Sequence, residues 1–183
     1  MSENQNRIIS FFKSPGFLLV GLMLLFLAFF YAPVLFHLNS VIFSDKGDAL
    51  KNYFAYDWHI HIDTGYSEYS GTNYPYGELF IYTDGNPLLA GLVKTLPFLK
   101  PYSIAIYNIS LLLSFILCAY FLFRIFRQFE ITVSVSMLAA VGITVLCPQA
   151  LRLTGHISLA YNFILPLVIF LFLLYEKKSS LKY

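Results

Sequence analysis

The sequence predicts an all-α integral membrane protein with four spanning helices and a long polar loop after the first. Three observations predict it. Of 183 residues, 58% are hydrophobic and only 12% charged, and the mean hydropathy is +0.67; soluble domains carry about 25% charged residues. Four apolar stretches approach the ~20 residues that a bilayer requires. The Lys and Arg residues flanking those stretches all fall on one side if the stretches alternate in direction.

Residues 1–16 hold Arg7 and Lys13 and are expected to be cytoplasmic. The first span is expected over 17–43: residues 17–36 carry no charge, and the run extends to 43 if tilted. It reads as an uncleaved anchor, because it is too long for a signal peptide and no small-x-small site follows. The second span, 104–123, contains Asn108, Ser110 and Ser114. The third, 131–147, is short and uncharged. The fourth, 157–175, contains Asn162 and Pro166, which neighbouring helices can accommodate. Residues 176–183 return to the cytoplasm. Arg124 and Arg127 follow the second span, and Lys177, Lys178 and Lys182 follow the fourth. Cytoplasmic loops carry such excess positive charge, so the expected place is the cytoplasmic membrane with the N-terminus inside. Residues 44–103 and 148–156 then face outward together.

Cys118 and Cys147 lie in or beside apolar stretches and read as small core residues. No run of Lys and Arg suggests nucleic acid.

The outer loop, 44–103, holds seven of the 10 acidic residues: Asp45, Asp48, Asp57, Asp63, Glu68, Glu78 and Asp84. Near its start, Gly47 offers a flexible turn and Asp48 offers an N-cap for a helix running towards Ile62. Asp45 and Asp48 sit just past a span, where a hydroxyl outside the membrane would meet a membrane-anchored donor. One of them can serve as a general base or hold a divalent cation; as a cap and a solvated loop charge, they need no further role. Asp57, His59, His61 and Asp63 share one face of a strand, a metal-ligand pattern. On a helix they fall into i,i+4 pairs instead. The preceding residues favour the helix, so no metal is expected there.

Trp58 and the loop tyrosines, including Tyr74 and Tyr76, suit either the C–H faces of a sugar or an interfacial aromatic belt. The turns 73–78 and 83–87 set Glu78 and Asp84 at defined positions. Residues 88–99 are too short to span, carry Lys94 and Pro97, and read as a helix lying at the interface. Beyond the third span, Arg152 and His156 reach the same side as the loop. A cation there can hold a lipid phosphate, or Arg152 can simply snorkel to the headgroups.

Taken together, the Gly47-Asp48 pair after the first span, the long aromatic loop, the Tyr74-Pro75-Tyr76-Gly77-Glu78 turn and Gly155-His156 before a later span resemble the C-type (GT-C) multi-spanning membrane glycosyltransferases of bacteria. That superfamily has more than four spans, so the chain resembles an N-terminal portion of such an enzyme. The resemblance implies catalysis by an Asp in the first external loop, Asp48 with Asp45 in support. It also implies a sugar donor on a polyprenyl phosphate, drawn from the membrane lipid. The substrate would be bound through Trp58, Tyr74, Tyr76, Glu78, Asp84, Arg152 and His156. The competing expectation is a non-catalytic membrane module that binds a lipid-linked glycan or a partner subunit.

Overall fold

The computed structural model describes residues 14–179, which divide into two compact units. Seven α-helices dominate the described residues.

The first unit is built from apolar helices. Helix α1, Pro15–Phe30, begins where Ser14 accepts a hydrogen bond from the Phe17 amide at 3.3 Å and Pro15 takes the first helical position. Proline suits that position because its missing N–H has no partner there anyway. Leu19, Met23 and Leu27, four residues apart, are buried, and α1 packs on α6, Val133–Leu146. Its other faces expose Leu18, Leu25 and Phe29, so it is apolar all round. The helix stops at Phe30 rather than continuing through 43. After a bend at Tyr31, the short helix α2, Ala32–Phe36, starts afresh with Pro33 in its first turn. Pro33 has no amide to give the ladder of α1.

Helix α5, Ser103–Gln128, contributes its residues from Leu112 onward to this unit. Ser114 on α5 donates to Asn162 Oδ1 at 2.8 Å, and within α6 Thr144 donates to the Ala140 carbonyl at 2.8 Å. Arg124 lies over the Phe170 ring, 5.4 Å from its centroid. Helix α7, Ile164–Ser179, completes the unit. The segments Pro97–Gln128 and Val133–Thr154 are each long and apolar enough to cross a membrane.

The second unit comprises Tyr31–Leu111 and Pro148–Tyr161. Its central helix is α3, Gly47–His61, which buries Ala49, Asn52, Tyr53, Ala55, Tyr56, His59 and Ile60. Gly47 has φ +57, a left-handed conformation that glycine takes without steric penalty. Lys46, not Asp48, is the N-cap residue, and it makes no side-chain cap. The expected Asp48 cap is therefore not formed. Asp48 sits inside the first turn, where a carboxylate still interacts favourably with the helix dipole.

The loop is not purely helical. Glu68–Tyr69 (β1) and Glu78–Leu79 (β2) pair antiparallel, Glu68 opposite Leu79. At their turn Gly77 has φ +67, and a Cβ there would stand 2.8 Å from the Tyr69 carbonyl oxygen. Helix α4, Pro87–Thr95, occupies most of the stretch expected to be interfacial and packs on α3. Asn86 caps it, accepting from the Leu89 amide at 3.3 Å. Leu88 and Leu92 on α4 are exposed, while Lys94 is buried. Two 3₁₀ segments, Pro148–Thr154 and Ile157–Ala160, pack on each other, and the former also meets α3.

Candidate functional site

Three elements of the second unit bring their polar residues together beside the start of α3. Asp48 comes from its first turn, Asp84 from the turn before α4, and His156 from the junction of the two 3₁₀ segments. The imidazole lies between the carboxylates: Nδ1 is 3.2 Å from Asp84 Oδ2, and Nε2 is 4.0 Å from Asp48 Oδ2. Ser158 donates to the other Asp84 oxygen at 3.1 Å. Asp84 Oδ2 accepts from Nδ1–H when the imidazole is neutral, which leaves Nε2 as an acceptor facing Asp48. Lys51 stands 4.0 Å from Asp48 Oδ1, with both side chains half exposed.

Asp84 is held at φ +58 and Asn86 at φ +51, on either side of Gly85. Few residues other than glycine adopt this region, Asn and Asp more readily than most. The turn is fixed from below by Asn86, whose amide donates to the Tyr161 hydroxyl at 2.7 Å; that hydroxyl also meets Ser110 Oγ at 2.8 Å.

Asn52 was not singled out by sequence reasoning. One turn beyond Asp48, it is fully buried, and its amide donates to the Gly155 carbonyl at 2.9 Å. This bond ties α3 to the residue before His156. Among the described residues, Asn52 Oδ1 has no hydrogen-bond partner, nor do the buried hydroxyls of Tyr56 and Tyr107. Asp48, Asn52 and Tyr56 recur every four residues, so they share one face of α3. That spacing was the available signal. Burial pushes the phenols of Tyr53 and Tyr56 above their usual range, so both remain protonated. Tyr53 donates to Asn108 Oδ1 at 2.5 Å, and Asn108 in turn donates to the carbonyls of Leu38 and Val41, both at 2.7 Å.

The remaining predicted residues lie elsewhere. Asp45 is exposed ahead of α3 and makes no hydrogen bond or ion pair with the cluster. Arg152 is exposed in the first 3₁₀ segment, its carbonyl accepting from the Gly155 amide at 3.0 Å. Trp58 donates to Ser70 Oγ at 3.0 Å and packs beside Phe54. Tyr74 and Tyr76 stand out at the hairpin turn, 93% and 89% exposed. Glu78 accepts from Thr72 Oγ1 at 2.7 Å. None of these six hydrogen-bonds or pairs with Asp48, Asp84 or His156.

The Asp57–Asp63 stretch forms the two i,i+4 pairs expected of a helix. Asp57 Oδ1 lies 3.4 Å from His61 Nε2, and Asp63 Oδ2 lies 3.0 Å from His59 Nδ1. His59 is fully buried, stacked on Phe80 at 3.8 Å between centroids. Burial holds its imidazole below the usual range despite the hydrogen bond to Asp63. Burial pushes the Asp63 carboxyl up, but hydrogen bonds from the Ser70 hydroxyl and amide, then from His59, outweigh it and hold the group low. Lys94 donates to the carbonyls of His59, at 3.0 Å, and Gly65. This is a clamp that fastens the loop after α3. Among the described residues, no three or more His, Cys, Asp or Glu side chains are grouped to hold a metal ion.

Residues 18–182 match the family described as Domain of unknown function (DUF6311). No curated protein matches the chain. No solved structure matches it either.

Proposed function

The chain belongs to the DUF6311 family, and we propose that it forms all or part of an inverting glycosyltransferase of the cytoplasmic membrane. It would transfer a sugar from a polyprenyl-phosphate donor at the outer face. The observation that carries the reading is the convergence of Asp48, His156 and Asp84 from three separate elements. A carboxylate beside an oriented imidazole has the parts a hydroxyl acceptor needs to lose its proton as it attacks the anomeric carbon.

In this reading Asp48 is the general base. His156 stands between two carboxylates, which offers a phosphate no unopposed positive charge. Its place is therefore with the acceptor, and Arg152 is left to meet the phosphate leaving group. Trp58, Tyr74, Tyr76 and Glu78 would contact the sugar once substrate is bound. Asp45 would support the entrance.

The four-span arrangement belongs to the same proposal. It would add α1 and α7 to the two segments already long enough to cross, with the N-terminus inside and residues 44–103 and 148–156 outside. The all-round apolar surface of α1 supports it, as does the position of Arg124, Arg127 and Lys177.

One observation favours a second reading. The hairpin turn presents Tyr74 and Tyr76 without attachment to the cluster, as a recognition surface would in a non-catalytic module that binds a lipid-linked glycan. Transfer assays separate the two. The full-length protein, reconstituted in vesicles, is given radiolabelled sugars on polyprenyl phosphate and the product is extracted. Transfer from at least one donor is expected. Binding of donors without transfer from any of them would sink the enzymatic reading in favour of the module.

A further inference from the structure

Asp84 occupies a backbone conformation that its neighbour Gly85 would adopt more easily. A non-glycine residue at φ +58 is strained, and such strain persists where the surrounding structure requires that residue. Here both carboxylate oxygens are used: Oδ2 faces His156 Nδ1 at 3.2 Å and Oδ1 accepts from Ser158 at 3.1 Å. On the far side of the ring, Nε2 is 4.0 Å from Asp48 Oδ2, too far for a direct hydrogen bond. A hydroxyl oxygen about 2.8 Å from each shares its single hydrogen between the two acceptors as a three-centre bond.

We propose that Asp84 is a positioning residue that fixes His156 as the Nδ1–H tautomer, so that Nε2 and Asp48 together receive the hydroxyl of the acceptor substrate. The proposal rests on the glycosyl-transfer reading and deepens it. The acceptor oxygen forms its bond to the anomeric carbon while the bond from that carbon to the phosphate oxygen breaks, its electron pair leaving on the phosphate. The hydroxyl proton passes to Asp48 Oδ2 and then, through a water replacing the departed hydroxyl, to His156 Nε2. The resulting imidazolium, held by Asp84, releases its Nε2 proton to solvent, which reaches the half-exposed ring, and both Asp48 and His156 are then acceptors again for the next turnover. The site therefore selects a hydrogen-bond donor.

The test uses Asp84→Gly, because glycine takes φ +58 without strain and deletes only the carboxylate. Asp84→Asn is the conservative partner, since it keeps an acceptor oxygen. The full-length protein, labelled with ¹⁵N-histidine, is studied in micelles at about pH 9, where an ordinary imidazole is neutral. The His156 signals are identified by their loss in His156→Gln. Nδ1–H is expected in the wild type and in Asp84→Asn, and its loss in Asp84→Gly. Asp84→Gly should also lower kcat about 100-fold or more with the donor KM unchanged and the thermal midpoint within about 4 °C of wild type.

A wild-type His156 protonated on Nε2, or a tautomer indifferent to Asp84→Gly, overturns the positioning role. So does an unchanged kcat in Asp84→Gly. The expected tautomers in a protein that transfers no sugar from any polyprenyl-phosphate donor would overturn glycosyl transfer and the proton path while leaving Asp84's hold on His156 intact.

Discussion

Replacing Asp48 by Asn separates chemistry from stability, because the structure bounds the stability term. Asp48 is not the N-cap of α3, so no capping bond is lost. Its carboxylate in the first turn gains about 0.3–1 kcal/mol from the helix dipole. Its pair with Lys51 is 4.0 Å long and both side chains are 52% exposed, which limits that contribution to about 0–1 kcal/mol. The contact with His156 is equally long and open. The substitution should therefore cost about 1 kcal/mol, or about 2–4 °C in the thermal midpoint. A general base contributes about 10²–10⁴-fold, equivalent to about 2.7–5.4 kcal/mol of barrier. Transfer should fall by that factor while expression, membrane insertion and melting stay nearly unchanged. The assay is single-turnover transfer of radiolabelled sugar by full-length protein in vesicles, with melting followed through Trp58 fluorescence. Wild-type transfer by Asp48→Asn would place the base elsewhere. A loss of activity matched by a collapse in melting would show that the bound on stability was wrong.

Three further outcomes are expected. Single cysteines placed at Gly71 and Gly155 in a cysteine-free background should react with a membrane-impermeant maleimide from outside, and one at Gln128 only from inside; the opposite pattern would reverse the orientation. Stability should fall in two steps as pH drops. His59 is held below its usual range, so the unfolded chain binds the extra proton first, and stability declines as pH falls below about 6.5. Asp63, also held low, adds a second loss below about pH 4 as it protonates in the folded state. Thermal midpoints against pH would show both steps, and His59→Gln should remove the upper one and shrink the lower, because His59 also helps hold Asp63 low; an unaltered profile in that variant would refute the assignment. Gly77→Ala should loosen the hairpin by about 1–2 kcal/mol through its left-handed backbone, with more from the 2.8 Å approach to the Tyr69 carbonyl. Faster amide exchange confined to 68–79 would report it, and unchanged exchange would contradict it.

The sequence by itself determined whatever depends on neighbours along the chain. The helical pairs Asp57–His61 and His59–Asp63 follow from i,i+4 geometry once a helix is assumed, and the apolar stretches declare helices through composition alone. Gly47 and Asp48 mark the start of α3 because a left-handed turn and a first-turn carboxylate are local matters. The end of α1 at Phe30 was also locally encoded, in Pro33, but an apolar run reads as continuous when only charge is counted. The hairpin escaped because two-residue strands carry no periodicity. The candidate site was decided by tertiary structure. Asp84 and His156 are 72 residues apart, and Asn52 and Gly155 are 103 apart. The sequence marked Asp48, Asp84 and His156 as candidates but gave no ground for joining them to each other rather than to Trp58 or Glu78. Packing α3 against α4 and the 3₁₀ segment made that choice. Burying the apolar face of α3 fixes its rotation, and that rotation turns Asp48 and Asn52 towards His156 and sends Trp58 to the hairpin.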